Sequence, residues 1–131
     1  MHPVPLQRRL VLVVEDDPTV RLLECGLLES AGYSILQASN GEQALILAAS
    51  SHPDLVVLDI GLPTISGLQV LHTLASESAT SAIPVLIVSS YGDLIGREHS
   101  ARAAGSITKP FEPSGFLGLV GQLAKGSCWG P

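Results

Sequence analysis

The chain has 131 residues, 46% of them hydrophobic, and a net charge of −5 at neutral pH. These values suit one compact domain with a real core and exclude a disordered chain. No Lys/Arg cluster is large enough to neutralise several phosphates, so direct nucleic-acid binding is not expected. Aromatic residues make up only 4% of the chain, so the core must be aliphatic.

The first apolar run, Leu10–Val14, predicts a strand. It is far too short to cross a bilayer, and Glu15, Asp16 and Asp17 cut it off where a secretory leader would continue into small residues. A cytoplasmic location without membrane partners is therefore expected. Asp17 and Pro18 read as a helix cap and a proline at the first helical position, and Val20, Leu23, Leu27 and Ala31 give the helix an apolar face that Gly32 ends. A second, partly alternating strand is predicted over 33–37. Ser39 and Glu42 have capping-box spacing ahead of a helix carrying Ala44 to Ala49.

Leu55–Leu58 predicts the third strand, and Leu68, Leu71, Leu74 and Ala75 mark the next amphipathic helix. Val85–Val88 predicts the fourth strand. Residues 93–104 have poor apolar periodicity and are read as a weak helix. Ser106–Thr108 is the weakest strand, and Phe116, Leu119, Val120, Leu123 and Ala124 mark the last helix. Strands one, three and four are apolar on both faces, as parallel strands covered on each side must be. The alternation predicts an α/β, flavodoxin-like (βα)5 doubly wound parallel sheet of five strands in the order 2-1-3-4-5. The expected domain spans 9–125, with an N-terminal extension over 1–8 and a loose tail over 126–131.

In such a sheet, ligands bind beyond the carboxyl ends of the strands, near the switch point between strands one and three. Glu15, Asp16 and Asp17 follow strand one, Asp59 follows strand three, Ser89 and Ser90 follow strand four, and Lys109 follows strand five. Carboxylates packed this closely repel one another and call for a cation. Carboxylate oxygens with room for water are the ligands Mg²⁺ prefers, commonly alongside phosphate oxygens. A hydroxyl and an ammonium nearby suit the remaining oxygens of a phosphoryl group. Cys25 and Cys128 have no metal-ligand spacing, and a disulfide is not expected in a reducing compartment.

Val13–Asp17, Leu55–Asp59 followed by Pro63 and Gly67, Val88-Ser89, and Lys109-Pro110-Phe111 together resemble the receiver domains of two-component response regulators. The resemblance implies that Asp59 accepts a phosphoryl group from a histidine kinase or phosphotransfer protein, with Mg²⁺ as cofactor and Mn²⁺ as its substitute. It further implies that Asp16 ligates the metal directly, Glu15 through water, and Gly61 through its backbone carbonyl. Ser89 and Lys109 would bind the phosphoryl oxygens, with a cis Lys109-Pro110 bond. Phosphorylation would then switch contacts with an output protein, in a monomer or weak homodimer that is not an enzyme on a separate substrate.

Two positions depart from the family's pattern. Ser106 stands where the family often has an aromatic switch residue, and the usual Gly-Ala-Asp-x-Tyr-like segment is reduced to Ala104-Gly105-Ser106. Tyr91 stands where the family tunes dephosphorylation, and is a candidate to screen the site or to move in place of a ring at Ser106. The alternative reading is a phosphorylation-independent pseudo-receiver that only binds. A flavin binder or an aspartate-based phosphatase on the same fold is disfavoured: no Gly-rich loop follows strand one, and no second acid stands two residues after Asp59. Asp17 alone reads as a helix cap, and His52, His72 and His99 carry no site role.

Overall fold

Strands that are apolar on both faces are stable only if both faces are covered. The computed structural model, which describes residues 8–90 and 103–124, meets that requirement with helices on each side of one sheet. In chain order the elements are β1 (Leu10–Val14), α1 (Pro18–Ser30), β2 (Ser34–Ala38), α2 (Gly41–Ser51), β3 (Leu55–Asp59), α3 (Gly67–Ser76), β4 (Val85–Ser89), β5 (Gly105–Thr108) and α4 (Pro113–Ala124). The five strands are all parallel and lie in the order β2-β1-β3-β4-β5, as the alternation predicts. No helix of the described residues is long and apolar enough to cross a membrane.

Strand side chains alternate between faces, and the core divides accordingly. Leu12, Val14, Val56, Leu58 and Ile87 pack with Ala44 and Ala48 of α2 and with Val70, Leu71 and Leu74 of α3. Val11, Val13, Leu55, Val57, Leu86 and Val88 pack with Cys25 and Leu28 of α1 and with Phe116, Val120 and Ala124 of α4. Every residue of β3 and β4 is buried, which is why these two runs carry no alternation in sequence. Asp54 fixes the register of β3 on β1: its Oδ2 accepts from Leu10 N–H at 2.8 Å, and its own N–H donates to the Leu10 carbonyl at 2.7 Å.

The helix ends follow local chemistry. Asp17 caps α1 by accepting from Thr19 N–H at 2.8 Å, with Pro18 in the first turn. Gly32, at φ +100°, turns the chain out of α1 in a conformation that other residues rarely adopt. Ser66 and Gln69 form a capping box on α3.

Three details differ from the sequence expectation. The cap of α2 is Asn40, whose side chain accepts from Gln43 N–H, while Gln43 reaches back to Ser39 N–H; the box read from Ser39 and Glu42 is displaced by one residue. β2 begins and ends one residue later than the alternation suggests. In α1 the buried residues are Glu24, Cys25 and Leu28, whereas Leu23 is 54% exposed. The paired leucines Leu22-Leu23 and Leu27-Leu28 allow two phases of the apolar stripe, and the wrong phase is the one that keeps Glu24 in water. Of the weak helix expected over 93–104, only Ala103 and Ala104 are described. Tyr91 and the C-terminal tail lie outside the described residues, as does the N-terminal extension except for Arg8.

Candidate functional site

Parallel strands present their carboxyl ends at one edge, so residues just past β1, β3, β4 and β5 converge there. Strand alternation, continued past the strand ends, places three of them on the same face. Glu15 follows Val11 and Val13, Asp59 follows Leu55 and Val57, and Lys109 follows Ile107, all on the side packed by α1 and α4. The outcome is a tight acidic cluster, with carboxylate oxygens of Glu15, Asp16 and Asp59 all within 4.8 Å of one another. Glu15 is 1% and Asp59 7% exposed, while Asp16 opens the cluster to solvent.

Lys109 supplies the counter-charge. Its Nζ donates to Glu15 Oε1 at 2.9 Å and stands 3.7 Å from Asp59 Oδ1. One ammonium among three carboxylates leaves an excess of negative charge, and that excess raises the proton affinity of its neighbours. Burial lifts the Glu15 carboxyl above its ordinary value; the Lys109 hydrogen bond opposes the shift, and the nearby Asp59 charge adds to it. For Lys109, burial acts against the ammonium but is outweighed by the Glu15 hydrogen bond and the charges of Asp59 and Glu15, so its pKa also rises.

Backbone contacts hold the cluster in place. Glu15 N–H donates to the Ala38 carbonyl at 3.0 Å, tying the tip of β1 to the end of β2. Arg21 of α1 donates through Nη1 to the Glu15 carbonyl at 2.8 Å and through Nε to Gln37 Oε1 at 3.1 Å. Ile60 N–H reaches the Val88 carbonyl at 3.1 Å, and Lys109 N–H the Ser89 carbonyl at 2.7 Å, so β3, β4 and β5 are linked at their tips. Gly61 N–H donates to Asp59 Oδ1 at 3.2 Å. Thr64 turns the loop after β3 at φ 62°, with its Oγ1 donating to the Pro63 carbonyl at 2.6 Å. The chain then returns so closely that Gly67 N–H bonds the Ile60 carbonyl at 3.0 Å. The Lys109-Pro110 bond is cis, and Phe111 beyond it stacks on Phe116 with ring centroids 4.7 Å apart.

Of the residues singled out from sequence, Glu15, Asp16, Asp59 and Lys109 meet directly, and Gly61 lies in hydrogen-bonding reach of Asp59. Ser89 is buried at the tip of β4, one residue past Val88, the strand partner of Asp59. Ser106 is exposed on β5 in register with Ile87. Sequence reasoning missed Arg21, which lies one helical turn after the Asp17 cap, and Glu24, a carboxyl buried to 1% exposure within α1. Beside the cluster lies a largely apolar concavity of about 490 Å³, lined by Val20, Leu23, Ser90, Lys109, Pro110 and Phe111.

A doubly wound parallel sheet in this order, with clustered acids at its topological switch point and a lysine just past the last strand, places the chain among the flavodoxin-like α/β proteins. Residues 11–120 match the family model of the response regulator receiver domain. The chain is 32% identical over 120 residues to the protein PilH of Pseudomonas aeruginosa, covering 88% of this chain and 98% of PilH. It is 36% identical over 113 residues to the polar-differentiation response regulator DivK of Brucella ovis, covering 84% of this chain and 91% of DivK. The crystal structure of the response regulator protein TrrA of Thermotoga maritima, in complex with Mg²⁺ and beryllium fluoride, superposes with a TM-score of 0.82 at 32% identity, covering 88% of this chain and 98% of TrrA. The chain belongs to the response regulator receiver family.

Proposed function

We propose that this receiver domain accepts a phosphoryl group on Asp59 and uses the change in charge to switch contacts with a protein partner. The observation that carries the reading is the junction of Glu15, Asp16 and Asp59 within 4.8 Å, bridged by Lys109. Three hard oxygen donors, one of them open to water, fit Mg²⁺ or Mn²⁺ better than a thiol- or imidazole-seeking metal. Glu15, Asp16 and Asp59 would hold the ion, with the Gly61 carbonyl as a further oxygen. When bound, the ion supplies charge neutralisation for the phosphoryl oxygens.

The chain's own residues do the rest. A carboxylate oxygen of Asp59 attacks the phosphorus, forming an O–P bond as the N–P bond of a phosphohistidine breaks, and the electron pair returns to the imidazole nitrogen. Such a transfer needs mainly alignment and neutralised charge. Lys109 is placed to leave Glu15 for the phosphoryl oxygens, because its ammonium already lies 3.7 Å from Asp59. The Ser89 hydroxyl, at the adjacent strand tip, is the candidate to take another oxygen. The phosphoryl group adds negative charge and strong acceptor atoms, which pull on the tips of β4 and β5 and bias the surface they support. The apolar concavity beside Lys109 suits docking of a phosphodonor, either a histidine kinase or a phosphotransfer protein. Such a switch works in the cytoplasm and needs no separate small-molecule substrate.

Treatment with acetyl phosphate and Mg²⁺, followed by intact-mass measurement, tests the reading. Wild type gains one phosphoryl mass, and Asp59→Ala gains none. Equal labelling of the two overturns the acceptor assignment. No labelling of wild type favours a binding module that no longer cycles phosphate.

A further inference from the structure

Two described residues other than glycine have a positive φ, His52 at 48° and Thr64 at 62°. His52 follows α2, where a left-handed residue commonly closes a helix. Thr64 closes no helix, and its branched side chain makes the left-handed conformation costly. It stands in the loop over 60–66 that follows Asp59 and carries Gly61, whose N–H bonds Asp59 Oδ1 at 3.2 Å. The 3.0 Å bond from Gly67 N–H to the Ile60 carbonyl ties the ends of that loop together, and Leu62 within it is buried in the core. The strained turn therefore sits in a short, closed segment attached to the candidate phosphoacceptor.

The first turn of α2 holds this loop. The Thr64 hydroxyl donates to the Pro63 carbonyl at 2.6 Å and to Glu42 Oε1 at 3.3 Å. A hydroxyl has one proton, so the two acceptors share it. Packing at the next residues is equally close. A Cβ on Gly41, the residue before Glu42, would stand 2.7 Å from Ile65 Cγ1 and 2.7 Å from Val70 Cγ2. Adjacent residues of α2 thus meet adjacent residues of the loop, Gly41 by close approach to Ile65 and Glu42 by a hydrogen bond from Thr64. A strained turn persists only where its surroundings enforce it, and these contacts supply the enforcement.

We propose that the first turn of α2 is a positioning element for metal loading: Glu42, through Thr64, and Gly41, against Ile65, hold the loop after β3 in the arrangement that lets the Gly61 carbonyl serve as a further metal oxygen. The inference rests on the proposed metal site and adds to it residues that touch neither the ion nor the phosphoryl group. The turn at Thr64 is retained although it costs stability, because relaxing it frees the loop from α2. Metal affinity and fold stability should therefore respond to Thr64 in opposite directions. Glu42 acts as a hydrogen-bond partner rather than as a charge. In Glu42→Gln the amide can donate to Thr64 Oγ1 while the hydroxyl proton stays with Pro63, so the tether survives the loss of charge.

Titration with MnCl₂ at fixed ionic strength, with the free ion counted by electron paramagnetic resonance, reads the affinity. Urea unfolding without metal reads the stability. Glu42→Ala and Thr64→Gly should each weaken Mn²⁺ binding by about tenfold, the low end for groups that support a metal ligand. Glu42→Gln, and Thr64→Ser with its hydroxyl kept, should bind as wild type does. Thr64→Gly should at the same time raise the urea midpoint, because glycine adopts a positive φ without steric cost. Equal weakening by Glu42→Gln and Glu42→Ala would reduce Glu42 to a source of charge and overturn the tether. A urea midpoint that falls together with affinity in Thr64→Gly would make Thr64 an ordinary structural residue. That result, or unchanged affinity in Thr64→Gly and Glu42→Ala, overturns this inference alone. Failure of wild type to bind Mn²⁺ overturns the metal-site reading and this inference with it.

Discussion

Adding one methyl group at Gly67 should disrupt the candidate site more than any conservative change on the surface. A Cβ there would overlap the Asp59 carbonyl oxygen and stand 2.6 Å from Ile60 Cα and 3.0 Å from Ile60 C. All three atoms are backbone, held on one side by β3 and on the other by the Gly67 N–H bond to Ile60. No rotamer change relieves the overlap, so α3 must move away from β3. Gly67→Ala should therefore cost about 3 kcal/mol, the upper part of the range for overpacking. Gly118 is the control: nothing lies within 4 Å of its Cβ position on α4, and Gly118→Ala should stabilise by about 0.5–1 kcal/mol through reduced backbone freedom in the unfolded chain. Urea unfolding followed by circular dichroism at constant pH measures both. Equal stability of Gly67→Ala and wild type would refute the argument that this glycine exists for close approach.

Other predictions concern the charge network. Lys109→Ala should slow phosphorylation by acetyl phosphate about a hundredfold, as loss of a preorganised charge donor does in other transfer sites, measured by the rate of mass gain. Arg21→Ala frees the Glu15 carbonyl and Gln37 and should weaken Mg²⁺ binding while unfolding the chain by no more than about 1–3 kcal/mol, as expected for a lost charge-assisted hydrogen bond; unchanged Mg²⁺ affinity would count against its clamping role. The pH dependence follows from Glu24. Its folded pKa, about 8, lies above the ordinary 4.5, so the folded state retains a proton that the unfolded chain has lost. Stability in the absence of metal should thus fall as pH rises between those values, by about 1.4 kcal/mol per unit, and level off above the folded value. The slope should flatten in Glu24→Leu, leaving only the part that the raised Glu15 carboxyl contributes, and a wild-type stability flat from mildly acidic to neutral pH would contradict it.

The sheet was legible in sequence because burial on both faces leaves apolar runs with no other reading: Leu55–Leu58 and Val85–Val88 cannot be surface strands. The acidic cluster followed from topology, since the tips of parallel strands one and three must be neighbours. Less legible were features set by packing rather than pattern. The phase of α1 was ambiguous because Leu22-Leu23 and Leu27-Leu28 both offer apolar positions, and the buried choice turns Glu24 inward, against its intrinsic preference. The cap of α2 slipped from Ser39 to Asn40 because both residue types cap helices well. The clamp from Arg21 to Glu15 and Gln37 joins residues that no local spacing relates, and is visible only once β2 lies beside β1.

The central claim is that Asp59 takes the phosphoryl group while the acids beside it hold a cation and Lys109 changes partners. A crystal structure of the chain with Mg²⁺ and beryllium fluoride tests it most directly. The claim predicts a trifluoroberyllate on Asp59, the ion among Glu15, Asp16 and Asp59, and Lys109 Nζ moved from Glu15 onto a fluoride. A bare Asp59 in crystals where Lys109 still grips Glu15 would contradict it.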